Sequence, residues 1–379
     1  MAAGQEEHKK LHIASLDGVR GLAILLVLMY HASEKMRIRG TSHLVEKIYN
    51  MAVGTGWCGV DLFFVLSGFL ITGILLDSRD KGRYFQNFYM RRVLRIFPLF
   101  YGSLLVFLLV VGPRIEVPRE LAWLVSNQAW YWGYLQNWLF VFRDWPVTML
   151  GHFWSLAIEE QFYILWPLVV FIVRPARLKT VCLALVAGSL AVRIAAWLIS
   201  PNAHNFCYAA TIARMDELAA GALLAVLARE AGGLGRYVKY AVPAMIAGFA
   251  VFSALLASIY FSDWRVGRDT IGYTALALLF GGTLVASVAL ARTHPIVRFF
   301  SLGPMRFFGK YSYGIYVFHW PLMIFLATYW KQLDAPVLDL PLVRQVGFLI
   351  VAGALTTGMA LVSWFVLEKR FLGLRRFFE

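Results

Sequence analysis

Residues 15–31 read Ser15-Leu-Asp-Gly-Val-Arg20-Gly-Leu-Ala-Ile-Leu-Leu-Val-Leu-Met-Tyr-His31. The stretch is apolar like a membrane helix, yet it carries an arginine near one end and a histidine at the other. Eleven helical steps from Arg20 to His31 make about three turns, so the two side chains share a face roughly 16 Å apart. An arginine inside a membrane helix is costly unless it faces protein, water or a ligand. A histidine on the same stripe adds a group that exchanges a proton near neutral pH. The pair therefore marks a polar track through a membrane protein, with chemistry near His31. The structural alternative is that Arg20 reaches back to the inner interface and His31 is an ordinary interfacial side chain. No small-residue cleavage site follows the stretch, and Arg20 interrupts it, so it reads as a retained helix rather than a leader.

Composition supports this. The 379 residues are 60% hydrophobic and 15% charged, with 13 Trp and 29 Phe. A soluble domain is about 45–50% apolar and about 25% charged, so no soluble core would hide this much apolar surface. The net charge of +14 is spread over short loops, as membrane topology requires, which argues against nucleic-acid binding. Three cysteines without CxxC spacing argue against a zinc site or a disulfide framework. A Cys58–Cys207 pair on the outer side is the one disulfide left open.

Apolar stretches of spanning length fall at about 15–33, 57–76, 93–112, 151–173, 181–199, 209–228, 237–260, 270–291, 311–330 and 344–367. An eleventh, 119–142, is tryptophan-rich but broken by Asn127, Gln128, Gln136 and Asn137. Basic residues decide whether it crosses. If it does not, and the N-terminus is inside, 21 Lys and Arg lie on inner segments, ten on outer ones and five within helices. This twofold inner excess favours an all-α polytopic membrane protein of about ten transmembrane helices with both termini cytoplasmic, and 119–142 in the outer interface. Eleven crossings is the alternative. The expected organisation is a cytoplasmic tail at 1–14, a transmembrane domain at 15–367 and a cytoplasmic tail at 368–379. Neither tail is long enough to fold alone.

Ionisable residues within the spans are functional candidates, weighed against structural ion pairs. Asp61, near the outer start of the second span, lies at a depth similar to that of His31; a carboxylate there suits an imidazole partner, or simply a helix N-terminus. Ser67 and Gly68 allow close helix packing. Arg92 and Arg95 share a face at the inner start of the third span, where guanidinium forks and free backbone donors favour phosphate. The positive-inside rule explains Arg92 well and Arg95 poorly. Ser155 and Glu159 share a face of the fourth span. Glu160 is turned by about 100°, so the two carboxylates are not expected to point squarely into one pocket. Arg214 and Glu217, at i and i+3, read first as a local salt bridge. The second reading has Arg214, Asp216 and Ser155 holding a polar substrate. His319, before Trp320 and Pro321, reads as a packing residue beside a kink. The histidines are dispersed and lack ligand spacing, so no metal is expected.

These residues form a pattern. Asp17-Gly-x-Arg20 with His31, Gly59-Val-Asp-Leu-Phe-Phe-Val-Leu-Ser-Gly-Phe69, Arg92-x-x-Arg95, Phe153-Trp-Ser-Leu-x-x-Glu159-x-Gln-Phe-Tyr163 and Tyr313-Gly-Ile-Tyr-x-Phe-His319-Trp-Pro321 together resemble the acyltransferase-3 family of integral membrane acyltransferases. The match runs from about residue 11 to 370. Some members carry a fused SGNH-type esterase domain; this chain looks like the stand-alone form. The resemblance implies ten core helices in a bacterial inner membrane. It also implies an acyl-CoA donor (commonly acetyl-CoA) from the cytoplasm and a hydroxyl-bearing glycan acceptor. His31 is implied as the essential catalytic residue, with Arg20, Arg92 and Arg95 as donor-binding partners. His31 would be a general base or carry the acyl group covalently, with Asp61 or Glu159 orienting it. An exopolysaccharide, an O-antigen unit, a peptidoglycan sugar, a glycolipid and a macrolide sugar all remain open as acceptors. A transporter or flippase for a lipid-linked sugar is the competing class, though no matching halves are visible. Oligomeric state is not legible.

Overall fold

The first helix, α1 (Ala14–Lys35), takes the whole 15–31 stretch. It lies among other helices, packed against Leu44–Gly54, Gly59–Ser78, Tyr273–Ala289, Pro295–Phe300, Gly303–Trp330 and Pro341–Ser363. Val19 and Ala23 face one apolar core, whereas Ile24, Val27 and Leu28 face a second. A helix with apolar groups around most of its circumference is buried on several sides, which forces Arg20 and His31 to find protein partners.

The computed structural model describes residues 13–36, 43–111, 118–143, 149–257, 264–330 and 341–378; all but the last two residues of the tail expected at 1–14 lie outside them. Among the described residues the chain is helical with no strand. After α1 come α2 (Leu44–Gly54), α3 (Gly59–Ser78) and α4 (Tyr84–Val106), then three short helices, α5 (Pro118–Ser126), α6 (Gln128–Trp132) and α7 (Gln136–Phe142). The middle of the chain forms α8 (Trp154–Ile172), α9 (Pro175–Ile199), α10 (His204–Ala209), α11 (Met215–Leu227) and α12 (Val238–Ala257). It closes with α13 (Trp264–Gly267), α14 (Tyr273–Ala289), α15 (Pro295–Phe300), α16 (Gly303–Trp330), α17 (Pro341–Ser363) and α18 (Lys369–Gly373).

Among the described residues eight helical stretches are long and apolar enough to cross a membrane, so this is an all-α polytopic membrane protein. The two other segments expected to cross become α11 and α16. α11 has 13 residues, about 20 Å of helix, and packs among α3, α9 and α14. α16 has 28 residues and runs along α1 and α17; it buries His319 in the bundle, whereas Arg306 and Lys310 near its start are exposed. Close approach is built with glycine. A Cβ on Gly68 of α3 would sit 1.9 Å from the Leu218 carbonyl oxygen of α11, and one on Gly309 of α16 would sit 1.7 Å from that of Asp17.

Segment 119–142 folds as α5–α7, none of spanning length. Its amides explain why. Gln136 and Asn137 are fully buried; Gln136 donates to the Phe153 carbonyl at 2.7 Å, and Asn137 donates to the Ala209 carbonyl at 3.0 Å. Such groups need protein partners, so the segment lies on the bundle. The C-terminal stretch is not a loose tail. Arg91 Nε donates to the Phe378 carbonyl at 2.8 Å and Arg375 donates to the Arg91 carbonyl at 3.2 Å, docking it on the start of α4. Cys58, Cys182 and Cys207 are free and buried, which removes the Cys58–Cys207 pair.

Candidate active site

A cavity of about 110 Å³ lies inside the bundle between α1, α3, α4, α8 and α16. One end is basic: Arg20, Arg92 and Arg95 all line it. Arg20 reaches Asp17 at 3.4 Å, but among the described residues Arg92 and Arg95 pair with no carboxylate, and the buried Nε of Arg92 has no hydrogen-bond partner. Arg375 lies within electrostatic reach of Arg91, Arg92 and Arg95. An arginine at the centre of a membrane helix costs about 2.5–3.5 kcal/mol on insertion scales, and like charges raise that cost. Three guanidinium groups gathered at one end, two of them in no direct ion pair among the described residues, make a receptor for a polyanion.

The middle of the cavity is acidic and hydroxylic. Ser67 of α3 donates to Glu159 of α8 at 2.6 Å and shares a 2.7 Å hydrogen bond with the Tyr163 hydroxyl. Glu159 and Glu160 both line the cavity, contrary to the expectation from their 100° offset. The cavity lies across both positions, and glutamate has enough torsions for adjacent side chains to reach one space. At the other end, Ser155 and the Tyr316 hydroxyl lie 2.5 Å apart, and Tyr316 also donates to the His152 carbonyl at 2.8 Å.

Behind Tyr316 stand three histidines. His319 packs on Tyr316 with ring centroids 5.3 Å apart, and its Nε2 lies 3.1 Å from Nδ1 of His31. His152 packs edge-on to His319 at 4.9 Å. Its Nε2 lies 3.3 Å from the Val317 carbonyl. That oxygen is available because Pro321, four residues on, has no N–H to offer it. The His319-Trp-Pro321 element thus acts through two contacts, not as packing alone. Neither Asp61 nor Glu159 touches His31, whose ring is held instead by His319 and, at 3.1 Å, the Val27 carbonyl.

Asp61 is engaged elsewhere. Its carboxylate accepts from Arg214 at 2.5 Å, and Arg214 also donates to Glu217 at 3.1 Å and lies 3.8 Å from the centre of the Tyr273 ring. All three charged groups are buried. The reason is local: α3 and α11 approach through Gly68, which puts the start of α3 against Arg214. The i,i+3 salt bridge read from sequence is present, and Asp61 completes it. Asp216 pairs with the buried Arg193 at 2.7 Å and accepts from Thr274 at 2.8 Å. Arg214 and Asp216 are therefore held in ion pairs outside the cavity, whereas Ser155 lines it. His152 and Tyr316 escaped the sequence reading. The signal for His152 was Pro321, whose missing donor demands a partner for Val317.

The bundle thus encloses a polar cavity with a guanidinium cluster at one end and histidines beyond the other. Residues 13–368 match the family model described as an acyltransferase domain, and the chain belongs to that family, acyltransferase-3. It is 33% identical over 361 residues to the putative peptidoglycan O-acetyltransferase YrhL of Bacillus subtilis, covering 87% of this chain and 52% of the relative. The peptidoglycan O-acetyltransferase OatA of Listeria monocytogenes is 29% identical (88% and 51% covered), and O-acetyltransferase OatA of Staphylococcus aureus 27% (86% and 53%). The chain spans about half the length of the curated relatives it matches. No solved structure matches it.

Proposed function

We propose that this chain transfers an acetyl group from acetyl-CoA, presented at the cytoplasmic side of a bacterial inner membrane, to a sugar hydroxyl of peptidoglycan or a related glycan on the other side. The observation that carries the reading is the single polar row from Arg20, Arg92 and Arg95 through Glu159, Ser67, Ser155 and Tyr316 to His319 and His31. The arginines hold the donor's phosphates. A cavity of about 110 Å³ suits a small acyl group: a hydrocarbon cavity of about 150 Å³ accommodates one benzene. The relatives' names supply the acceptor class.

His31 acts as general base. It takes the proton of the sugar hydroxyl as the oxygen bonds to the acyl carbon; the carbon–sulfur bond then breaks, and the thiolate leaves with the proton returned by His31. Glu159 partly offsets the arginine charge along the donor's path. The test supplies radiolabelled acetyl-CoA to inside-out membrane vesicles holding a glycan acceptor. Alkali-labile label in the glycan fraction is the expected result. Translocated glycan without label would replace this reading with transport. The same assay with longer acyl-CoA donors is expected to give little transfer.

A further inference from the structure

We propose that His319 is the positioning residue for His31, holding the base in the one tautomer that leaves its Nε2 free to take a proton. This rests on the reading of His31 as the base. The tautomers follow from backbone carbonyls, which only accept hydrogen bonds. Nδ1 of His319 lies 2.6 Å from the Tyr316 carbonyl, so Nδ1 carries the hydrogen and Nε2 of the neutral ring is a bare acceptor. That bare nitrogen faces Nδ1 of His31 at 3.1 Å, and the Val27 carbonyl faces the same Nδ1, also at 3.1 Å. Both contacts require a hydrogen on Nδ1 of His31. Its Nε2 is then the lone pair that meets substrate.

His319 does more than duplicate Val27. When Nε2 of His31 takes the hydroxyl proton, the ring becomes an imidazolium, and the Nδ1 hydrogen bond to His319 becomes charge-assisted. Orientation and charge stabilisation thus come from a neighbouring imidazole. Carboxylates serve that purpose in hydrolase triads; here Asp61 is committed to Arg214 and Glu159 to Ser67. His319 is itself fixed: it is fully buried, its ring packs between Tyr316 and His152, and Pro321 follows two positions later. The other titratable groups facing the pair are Lys35, whose ammonium lies 4.2 Å from the Trp320 ring centre, and Tyr30, bonded to Glu34.

The experiment has two arms on the full chain in lipid. In the first, histidine-selective ¹⁵N labelling reads the tautomers directly, with His31→Ala and His319→Gln for assignment. Protonated Nδ1 on both rings, with coupling across the N–H···N bond, is expected; a hydrogen on Nε2 of His31, or no coupling, overturns the proposal whatever the activity. The second arm compares His319→Gln, whose amide reaches the Nε2 position, with His319→Asn, whose amide reaches only Nδ1. Asn is expected to lower kcat on the order of 10- to 100-fold with donor KM unchanged, and Gln to recover most of it. Equal loss in both variants, or a loss confined to donor KM, overturns it. Full transfer by His31→Ala would instead remove the base assignment itself, while the labelling arm still decides the hydrogen bond.

Discussion

Among the described residues Arg92 and Arg95 form no direct ion pair, whereas Arg193 and Arg214 are each bonded to an acid. The two kinds of arginine should respond differently to deletion. Arg92→Ala or Arg95→Ala removes charge-assisted bonds to the donor, each about 1.5–3 kcal/mol, so acetyl-CoA KM should rise at least tenfold in steady-state kinetics with kcat little changed and the thermal midpoint intact. Arg214→Ala leaves Asp61 and Glu217 buried without their cation, which typically costs about 3–5 kcal/mol; its thermal midpoint should fall sharply in detergent. Sequence separated these cases in part. The i,i+3 spacing exposed Arg214 with Glu217, and depth in the span exposed Arg95. Asp61 misled because depth alone placed it beside His31, whereas helix rotation aims it at α11.

Helices set those rotations. α3 and α11 touch where Gly68 meets the Leu218 carbonyl at a distance no side chain tolerates. Gly68→Val should therefore destabilise the fold by about 1–3 kcal/mol or more and lower activity with it, measured by thermal aggregation and label transfer together. The C-terminal helix is the second case. Arg375 docks on the Arg91 carbonyl within electrostatic reach of Arg92 and Arg95, so Arg375→Ala should raise donor KM less than Arg92→Ala does and leave kcat unchanged. The long helices were legible, because spanning apolar runs admit little else, whereas short helices such as α2, α10 and α15 were not. The docking of α5–α7 and of the C-terminal stretch was not, since both depend on backbone carbonyls of distant helices accepting from Gln136, Asn137 and Arg375.

At the scale of the molecule, charge bias and hydropathy agree on a polytopic bundle, and the twofold inner excess of Lys and Arg is the ground for proposing that its N-terminus faces inward. Single cysteines placed at the exposed positions Lys81 and Asn202, in a chain whose own cysteines are buried, test that orientation. A membrane-impermeant maleimide should label position 202 in intact cells and position 81 only after permeabilisation; the reverse pattern would invert the protein. The bundle's shape was legible in outline, but the histidine cluster was not. His31, His152 and His319 are 121 and 167 residues apart in sequence, and only the packing of α1, the turn that leads into α8, and α16 brings them together.

In the proposed reaction one polar row delivers an acyl group from the arginine end to chemistry at His31. Its most direct test is acyl transfer from radiolabelled acetyl-CoA in membranes carrying wild type or His31→Ala at matched protein levels. Label in a glycan fraction is expected for wild type, with a loss of about 10²- to 10⁴-fold in the variant. Undiminished transfer by His31→Ala would contradict it and move the chemistry to Glu159 or Glu160.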